Sequence, residues 1–296
     1  MNQKKNIHFI LNPISGKGKN LIDEIILQKY FPTQAYNISL KLTTGPGHAA
    51  DLAQMAIAEK AELIVVCGGD GTVNEVASTL VKSDIPLGII PMGSGNGLAS
   101  NLKIPFQLDK ALAVIKHGKI RAIDVGMVNG SYFFSNMGIG FDTALIQRYE
   151  QMKRRQLKGY LKALLSTLGS YSSLGNIHLR FNDESVKLDP FMIFVSNSNS
   201  MGYGFSLTPE AKLDDGQLDL VIIEKMSKMK ILLLGLLVLI RKINWLKEVR
   251  FIKIKALQLE SMSSIRACQI DGCFEPKDVE KLEIDILNSS LQVIVP

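Results

Sequence analysis

Leu63-Ile64-Val65-Val66-Cys67-Gly68-Gly69-Asp70-Gly71-Thr72-Val73-Asn74-Glu75, running on through Val76 to Leu80, is the stretch that decides the fold. Leu63 to Cys67 is a short apolar run rich in Val and Ile, which spells a buried strand, and Thr72 to Leu80 carries apolar residues at helical spacing. A strand therefore feeds a helix through a glycine-rich turn. Its three glycines let a ligand reach backbone N–H groups, and the helix adds the positive end of its dipole, so the turn suits phosphate. Asp70 is the odd residue there. A carboxylate repels phosphate unless a divalent cation lies between them or it removes a proton during the reaction. The plainer alternative is a tight turn in which Asp70 satisfies backbone groups.

The same arrangement recurs outward from this stretch. Ile7 to Leu11 is a strand that runs into Asn12-Pro13-Ile14-Ser15-Gly16-Lys17-Gly18-Lys19, followed by a helical stripe of Leu21, Ile22, Ile25 and Ile26 up to about Phe31. This is not a Walker-type loop, because it lacks the four-residue spacing before Gly-Lys and the hydroxyl after it. Asn37 to Leu42 gives a strand, then Thr43-Thr44-Gly45-Pro46-Gly47-His48 leads into a helix from Ala49 to Lys60, with His48 read as a capping or surface residue. Leu87 to Ile90 ends in Pro91-Met92-Gly93-Ser94-Gly95-Asn96-Gly97, again before a helical stretch. Such units build a parallel sheet whose loops gather at the carboxyl ends of the strands, where open α/β sheets bind ligands. Several glycine loops at one edge suit a polyphosphate.

Beyond a boundary at Ile120 to Asp124 the pattern changes. Strands are expected at Ile123 to Val128, Tyr132 to Met137, Ile177 to Phe181, Phe191 to Ser196, Leu218 to Ile223, Val249 to Leu259, Ala267 to Ile270, Leu282 to Leu287 and Leu291 to Val295. Strands in runs argue for antiparallel pairing and a β-sandwich or barrel. Two helical insertions interrupt them. The first, Asp142 to about Leu168, carries Arg148, Lys153, Arg154, Arg155, Lys158 and Lys162; the second, Ser227 to Trp245, holds an apolar decade flanked by Lys225, Lys228, Lys230, Arg241, Lys242 and Lys247. A solvated face is the usual meaning of such charge, and attachment to an acidic bilayer is the sharper one. Asp214-Asp215-Gly216 reads as a turn that can also offer oxygen to magnesium, and Asp271-Gly272 ends a strand at a turn.

With 296 residues, 46% hydrophobic and 21% charged, the chain has room for two domains with full cores. Cys67, Cys268 and Cys273 are odd in number and share no metal-ligand spacing, which favours a reducing compartment. The opening residues do not spell a secretory signal. The longest apolar run, Ile231 to Ile240, has ten residues, whereas a spanning helix needs about twenty. A formal charge of +6 favours an anionic partner. Aromatics do not interleave with the basic clusters, so a membrane ranks above nucleic acid.

Taken together, Asn12 to Gly16, Gly68 to Glu75, Gly93 to Asn96, Leu213 to Leu218 and Asp271-Gly272 resemble the diacylglycerol kinase catalytic-domain family, which includes bacterial diacylglycerol kinases, sphingosine kinases and ceramide kinases. The resemblance implies an α/β nucleotide-binding domain with a parallel sheet and glycine-rich loops (1–122), followed by a β-sandwich lipid-binding domain (123–296) whose final segment is a candidate to pack back on the first. ATP and a lipid hydroxyl would meet in the cleft between them. It implies ATP contacts at Asn12, Ser15, Gly16, Thr43, Gly68, Gly69, Asp70, Gly71, Thr72, Val73, Asn74, Gly93 and Ser94. Asp70 matches the family's general base or magnesium-linked acid. Lys212, Asp215 and Gln217 sit where bacterial members hold a structural magnesium, Lys212 and Gln217 through backbone carbonyls. Asp142 lies near a lipid-contacting acid of sphingosine kinases. Implied besides are a lipid acceptor, a place in phospholipid metabolism, a cytoplasmic protein peripherally associated with an anionic membrane, and a homodimer as one option.

One departure matters. The family's Asp-Gly-Glu is here Asp271-Gly272-Cys273, which puts a thiol in place of an active-site carboxylate. A thiol is a poor magnesium ligand, and losing the carboxylate is expected to cost about 10²- to 10⁴-fold in rate unless Glu275 substitutes. Asp70, Asp271 and Cys273 are therefore the catalytic candidates of a lipid kinase. Two alternatives stand beside it: a nucleotide-binding membrane regulator with weak or no turnover, and an NAD kinase, whose fold shares Gly-Gly-Asp-Gly-Thr.

Overall fold

The computed structural model describes residues 4–16, 22–152, 157–171, 173–201, 206–240 and 242–296. Lys17 to Lys19, Leu21, Lys153 to Arg155 and Arg241, which the sequence singled out, lie outside the described residues. The chain divides into two compact units, 1–123 with 289–296, and 124–288.

Unit 1 is built from strand–loop–helix repeats. β1 (Lys5–Leu11), α1 (Glu24–Tyr30), β2 (Tyr36–Leu42), α2 (His48–Ala58), β3 (Leu63–Gly68), α3 (Asp70–Leu80) and β4 (Leu87–Pro91) alternate, and α4 (Gly97–Asn101) and α5 (Leu108–His117) follow. β2, β1, β3 and β4 lie side by side and parallel, and Val293 near the chain's end pairs in parallel with Leu87 of β4. β3 is buried along its whole length, which is why it reads as an unbroken apolar run rather than an alternating one. Phe9, Leu11, Leu27, Phe31, Val65 and Leu112 are among the side chains of one core under this sheet.

The unit division falls within β5 (Lys119–Val128). Unit 2 continues with β6 (Ser131–Phe133), β7 (Asn136–Gly140), α6 (Phe141–Glu150), α7 (Leu157–Ser170), β8 (Ile177–Phe181), β9 (Glu184–Leu188), β10 (Pro190–Ser196), β11 (Leu218–Glu224), α8 (Lys228–Leu239), a 3₁₀ turn (Ile243–Trp245), β12 (Val249–Ile254), β13 (Ala256–Ile270) and β14 (Cys273–Val295). The last strand runs on into unit 1. β12, β11, β10, β7, β13 and β14 are neighbours in that order, and β13 also pairs with β8, which pairs with β9. All of these pairings are antiparallel. Period-two alternation sorts the side chains: Ile193, Val195, Leu220 and Ile222 face a core shared with Leu179, Leu259 and Ile284, the interior of a β-sandwich. Phe194, Val221 and Ile223 face the other way, against Leu145 of α6 and Ile231 and Leu234 of α8.

Several boundaries differ from the expectation. Tyr132 to Met137 is two strands, because the N–H groups of Phe134 and Ser135 are taken by the Asp271 carboxylate instead of a ladder partner. Val249 to Leu259 also splits, at Lys255, while Leu282 to Leu287 and Leu291 to Val295 are one continuous strand. β3 ends at Gly68 and α3 begins at Asp70, so Gly69 alone separates strand from helix and Asp70 opens the helix. The half-exposed strand β9 and the helix α5 were not anticipated.

Candidate nucleotide and lipid site

In unit 1 the loops after β1, β3 and β4 are tied to one another. Asn12 donates its backbone N–H to Cys67 O at 2.9 Å and its Nδ2 to Thr72 Oγ1 at 2.9 Å, which links the first loop to the first turn of α3. Met92 N donates to Gly68 O at 2.8 Å. Above that bond Gly69 and Gly93 meet backbone to backbone: a Cβ on Gly93 would lie 2.6 Å from Gly69 Cα and 2.8 Å from Asn96 Oδ1. No residue with a side chain fits there without parting the two loops. Asn96 closes the last loop on itself, accepting from Gly93 N at 2.9 Å and donating Nδ2 to Gly93 O at 2.7 Å. Thr43, at the end of β2, is buried and donates its N–H to Leu11 O at 2.9 Å.

Asp70 clasps this assembly. Its Oδ2 accepts from Asn96 N and its Oδ1 from Gly97 N, each at 2.7 Å. The carboxylate that looked out of place beside a phosphate is thus held by the N–H groups that open α4. Gly69, the N-cap of α3, has no side chain to cap the helix, which leaves its first turn suited to an anion. Glu75, one turn further on, accepts from Gly47 N at 3.0 Å and Ala49 N at 3.1 Å and so fastens the loop after β2 to α3. Asn96 and Glu75 stand in the sequence motifs without a site role, because the bonds from Asn96 N to Asp70 and from Gly47 N and Ala49 N to Glu75 span more than twenty residues.

In unit 2 Asp271 and Gly272 turn the β13–β14 hairpin with φ of 48° and 79°, the backbone that an Asp-Gly pair favours. The Asp271 carboxylate accepts from three successive N–H groups: Phe134 at 2.9 Å, Ser135 at 2.7 Å and Asn136 at 3.1 Å. Gln269 ties the same turn together, donating to Asn136 Oδ1 at 2.9 Å and accepting from Gly272 N at 2.8 Å. Cys273 follows, half-buried, and none of the three cysteines forms a disulfide. Burial raises the Cys67 thiol, and pushes that of Cys268 up to about 11. One peptide beyond Cys273, Phe274 N donates to Glu150 Oε1 at 3.0 Å, so a carboxylate from the end of α6 reaches this hairpin. Sequence reading looked for a substitute in Glu275 and missed Glu150, which is 124 residues away.

Asp142 is buried at the start of α6, and its Oδ2 has no hydrogen-bond partner. Burial pushes its carboxyl up to about 7, against a hydrogen bond from Gln269 that lowers it. Tyr160 lies close enough that burial, then the Asp142 charge, raises its phenol.

Of Lys212, Asp215 and Gln217, the one side-chain oxygen donor, the Asp215 carboxylate, already has partners. Asp215 Oδ2 is paired with Lys253 Nζ at 2.9 Å, and its Oδ1 accepts from Gln217 N at 3.2 Å. The same ammonium holds Asp219 at 3.0 Å. Burial pulls Lys253 down, but the bonds to Asp215 and Asp219 outweigh it and leave its pKa raised. Among the described residues no three His, Cys, Asp or Glu side chains gather to hold a metal.

A family model described as the diacylglycerol kinase catalytic domain matches residues 6–128, and one described as the YegS C-terminal NAD kinase beta sandwich-like domain matches residues 135–295. A diacylglycerol kinase of Bacillus subtilis is 34% identical over 229 residues, 75% of this chain and 74% of that one. The chain belongs to the diacylglycerol kinase family. A diacylglycerol kinase of Staphylococcus saprophyticus is 32% identical over 233 residues, with the same shares covered. Among solved structures, a diacylglycerol kinase of Bacillus anthracis str. Sterne superposes with a TM-score of 0.75 at 22% identity, covering 100% of this chain and 98% of that one. Yeast NADH kinase gives a TM-score of 0.57 at 10% identity over 100% and 84%, a likeness of fold alone. As a member of the diacylglycerol kinase family the chain is an ATP-dependent lipid kinase, and its two-domain architecture is that of the family.

Proposed function

We propose that this kinase transfers the γ-phosphoryl group of ATP, taken as its magnesium complex, to a hydroxyl of a diacylglycerol or sphingoid-like membrane lipid. The observation that carries the reading is the Gly69–Gly93 contact clasped by Asp70, since two loops touching through bare backbone form a preassembled cradle for phosphates. Asn12, Ser15, Gly16, Thr43, Gly68 to Asn74, Gly93 and Ser94 would contact the nucleotide.

Phosphoryl transfer proceeds through a loose transition state in which positioning and charge do most of the work. Asp70 would accept the hydroxyl proton late, as the new P–O bond forms, because a carboxylate already holding two N–H groups is a weak base. In unit 2 Asp271 would fix the 134–136 turn, and Glu150 would supply beside Cys273 the carboxylate that the hairpin lacks. Asp142, neutral below about pH 7, would offer its proton to an oxygen of the acceptor. The acceptor sits in a bilayer, so the enzyme works as a peripheral protein at an anionic cytoplasmic surface. Among the described residues no helix is long and apolar enough to cross a membrane.

The thiol at Cys273 favours a second reading, a nucleotide-binding regulator with little turnover. A panel of acceptors separates the two: dispersed diacylglycerol, a sphingoid base and NAD, each with magnesium-ATP. The kinase reading expects label in a lipid and none in NAD. ATP binding without any labelled lipid, and transfer gained by Cys273→Glu, would favour the regulator instead.

A further inference from the structure

α8 is apolar on two opposite sides, and among the described residues only one of them is covered. Ile231, Leu234 and Leu237 pack into the core beneath β10 and β11, while Met229, Leu232, Leu233, Leu236 and Ile240 stand exposed. The exposed set follows three- and four-residue steps, which makes it one stripe about 16 Å long on the outer face of the helix. Trp245 extends it. This side chain is 68% exposed although its neighbours Ile243 and Leu246 are buried, so the 3₁₀ turn holds the indole outward. An apolar stripe of this size open to water marks a binding surface rather than ordinary scatter.

Charge decides what covers it. From residue 225 to residue 247 the sequence holds Lys225, Lys228, Lys230, Arg241, Lys242 and Lys247 and no acid. Lys225, Lys230, Lys242 and Lys247 are exposed. Lys230 pairs with Glu248 and Lys225 lies 3.9 Å from Asp189, both at the margin of the segment. A second copy of the chain would bring the same positive rim against itself, whereas an anionic bilayer complements it.

We infer that the outer face of α8 with Trp245 is a membrane-inserting surface, lying in the plane of an anionic lipid bilayer with its leucines in the acyl boundary and its lysines among the headgroups. This deepens the lipid-kinase reading, on which its purpose rests. A helix lying in the interface binds through buried apolar area together with attraction to anionic lipid, and tryptophan prefers the headgroup level. The short length of the stripe suits this, since it is far below a membrane span.

Trp245 is the chain's one tryptophan, so its fluorescence reads the surface directly. The full chain is titrated with phosphatidylcholine vesicles, with and without about one quarter phosphatidylglycerol, some carrying brominated acyl chains. Expected are a blue shift and bromine quenching, with partitioning at least about tenfold weaker on the neutral vesicles and again about tenfold weaker for Leu232→Ser/Leu236→Ser. That variant changes only exposed positions, and circular dichroism checks its fold. It should keep wild-type turnover on a monomeric short-chain diacylglycerol and lose it on vesicle substrate. An emission spectrum unmoved by anionic vesicles overturns the inference even where short-chain lipid is phosphorylated. So does a lipid-free dimer, seen by light scattering, that the double variant dissociates. Insertion without phosphorylation of any lipid leaves the surface standing and removes the kinase reading.

Discussion

Replacing Asp142 by asparagine tests the buried acid of unit 2. In the folded chain burial raises the carboxyl from 3.8 to about 7. An acid raised on folding contributes its full stability below its unfolded pKa and loses it as the pH climbs through the folded one. Between those two values the unfolded chain has released a proton that the folded chain still holds, and each pH unit costs about 1.4 kcal/mol. From pH 5 to pH 8 the loss runs over about two units, roughly 3 kcal/mol. The asparagine amide does not titrate and is nearly the same shape, so the variant escapes this loss. Urea unfolding of both proteins, followed by circular dichroism at pH 5, 6, 7 and 8, reads the effect. The stability of wild type relative to Asp142→Asn should fall by roughly 3 kcal/mol across the series, most of it below pH 7. A difference that stays within about 0.5 kcal/mol refutes the idea that this carboxyl is held neutral, and with it the donated proton proposed for the acceptor.

Gly93→Ala places a methyl 2.6 Å from Gly69 Cα and should part the two loops, weakening ATP binding by about tenfold or more while the circular dichroism spectrum is kept; calorimetric titration measures it. Glu150→Gln should lower lipid phosphorylation by about 10²-fold and Cys273→Ser by less than about threefold, since the carboxylate rather than the thiol is given the role; steady-state kinetics on one acceptor compares them. Lys253→Met leaves Asp215 and Asp219 facing each other without their counter-ion. It should cost about 1 kcal/mol at this partly exposed turn, and thermal melts should show magnesium restoring the variant while leaving wild type unmoved.

The nucleotide half of the chain was legible because its signals are local. A strand such as Leu63 to Cys67 and the glycines after it are contiguous, and four repeats of one pattern specify a parallel sheet with its loops at one edge. What escaped was the pairing between distant segments. Asp70 reads as a phosphate-site acid, but nothing near it in the sequence shows that the N–H groups of Asn96 and Gly97, 26 and 27 residues on, hold it. Lys253 belongs to a strand whose alternation says nothing about Asp215, 38 residues away, so their ion pair was not legible. Tyr132 to Met137 has the composition of one strand, and only the Asp271 carboxylate shows why the ladder breaks at Phe134. β9 alternates too weakly, with exposed Glu184, Ser185 and Lys187, to stand out as a strand.

The decisive measurement is transfer itself: γ-labelled ATP and magnesium incubated with the protein and a total membrane lipid extract, the lipids then separated and the labelled product identified. Label should enter a phosphorylated lipid with wild type and fall to background with Asp70→Asn. Label confined to ATP and inorganic phosphate, or carried equally well by the Asp70→Asn variant, would contradict the phosphate cradle and the part given to Asp70 in it.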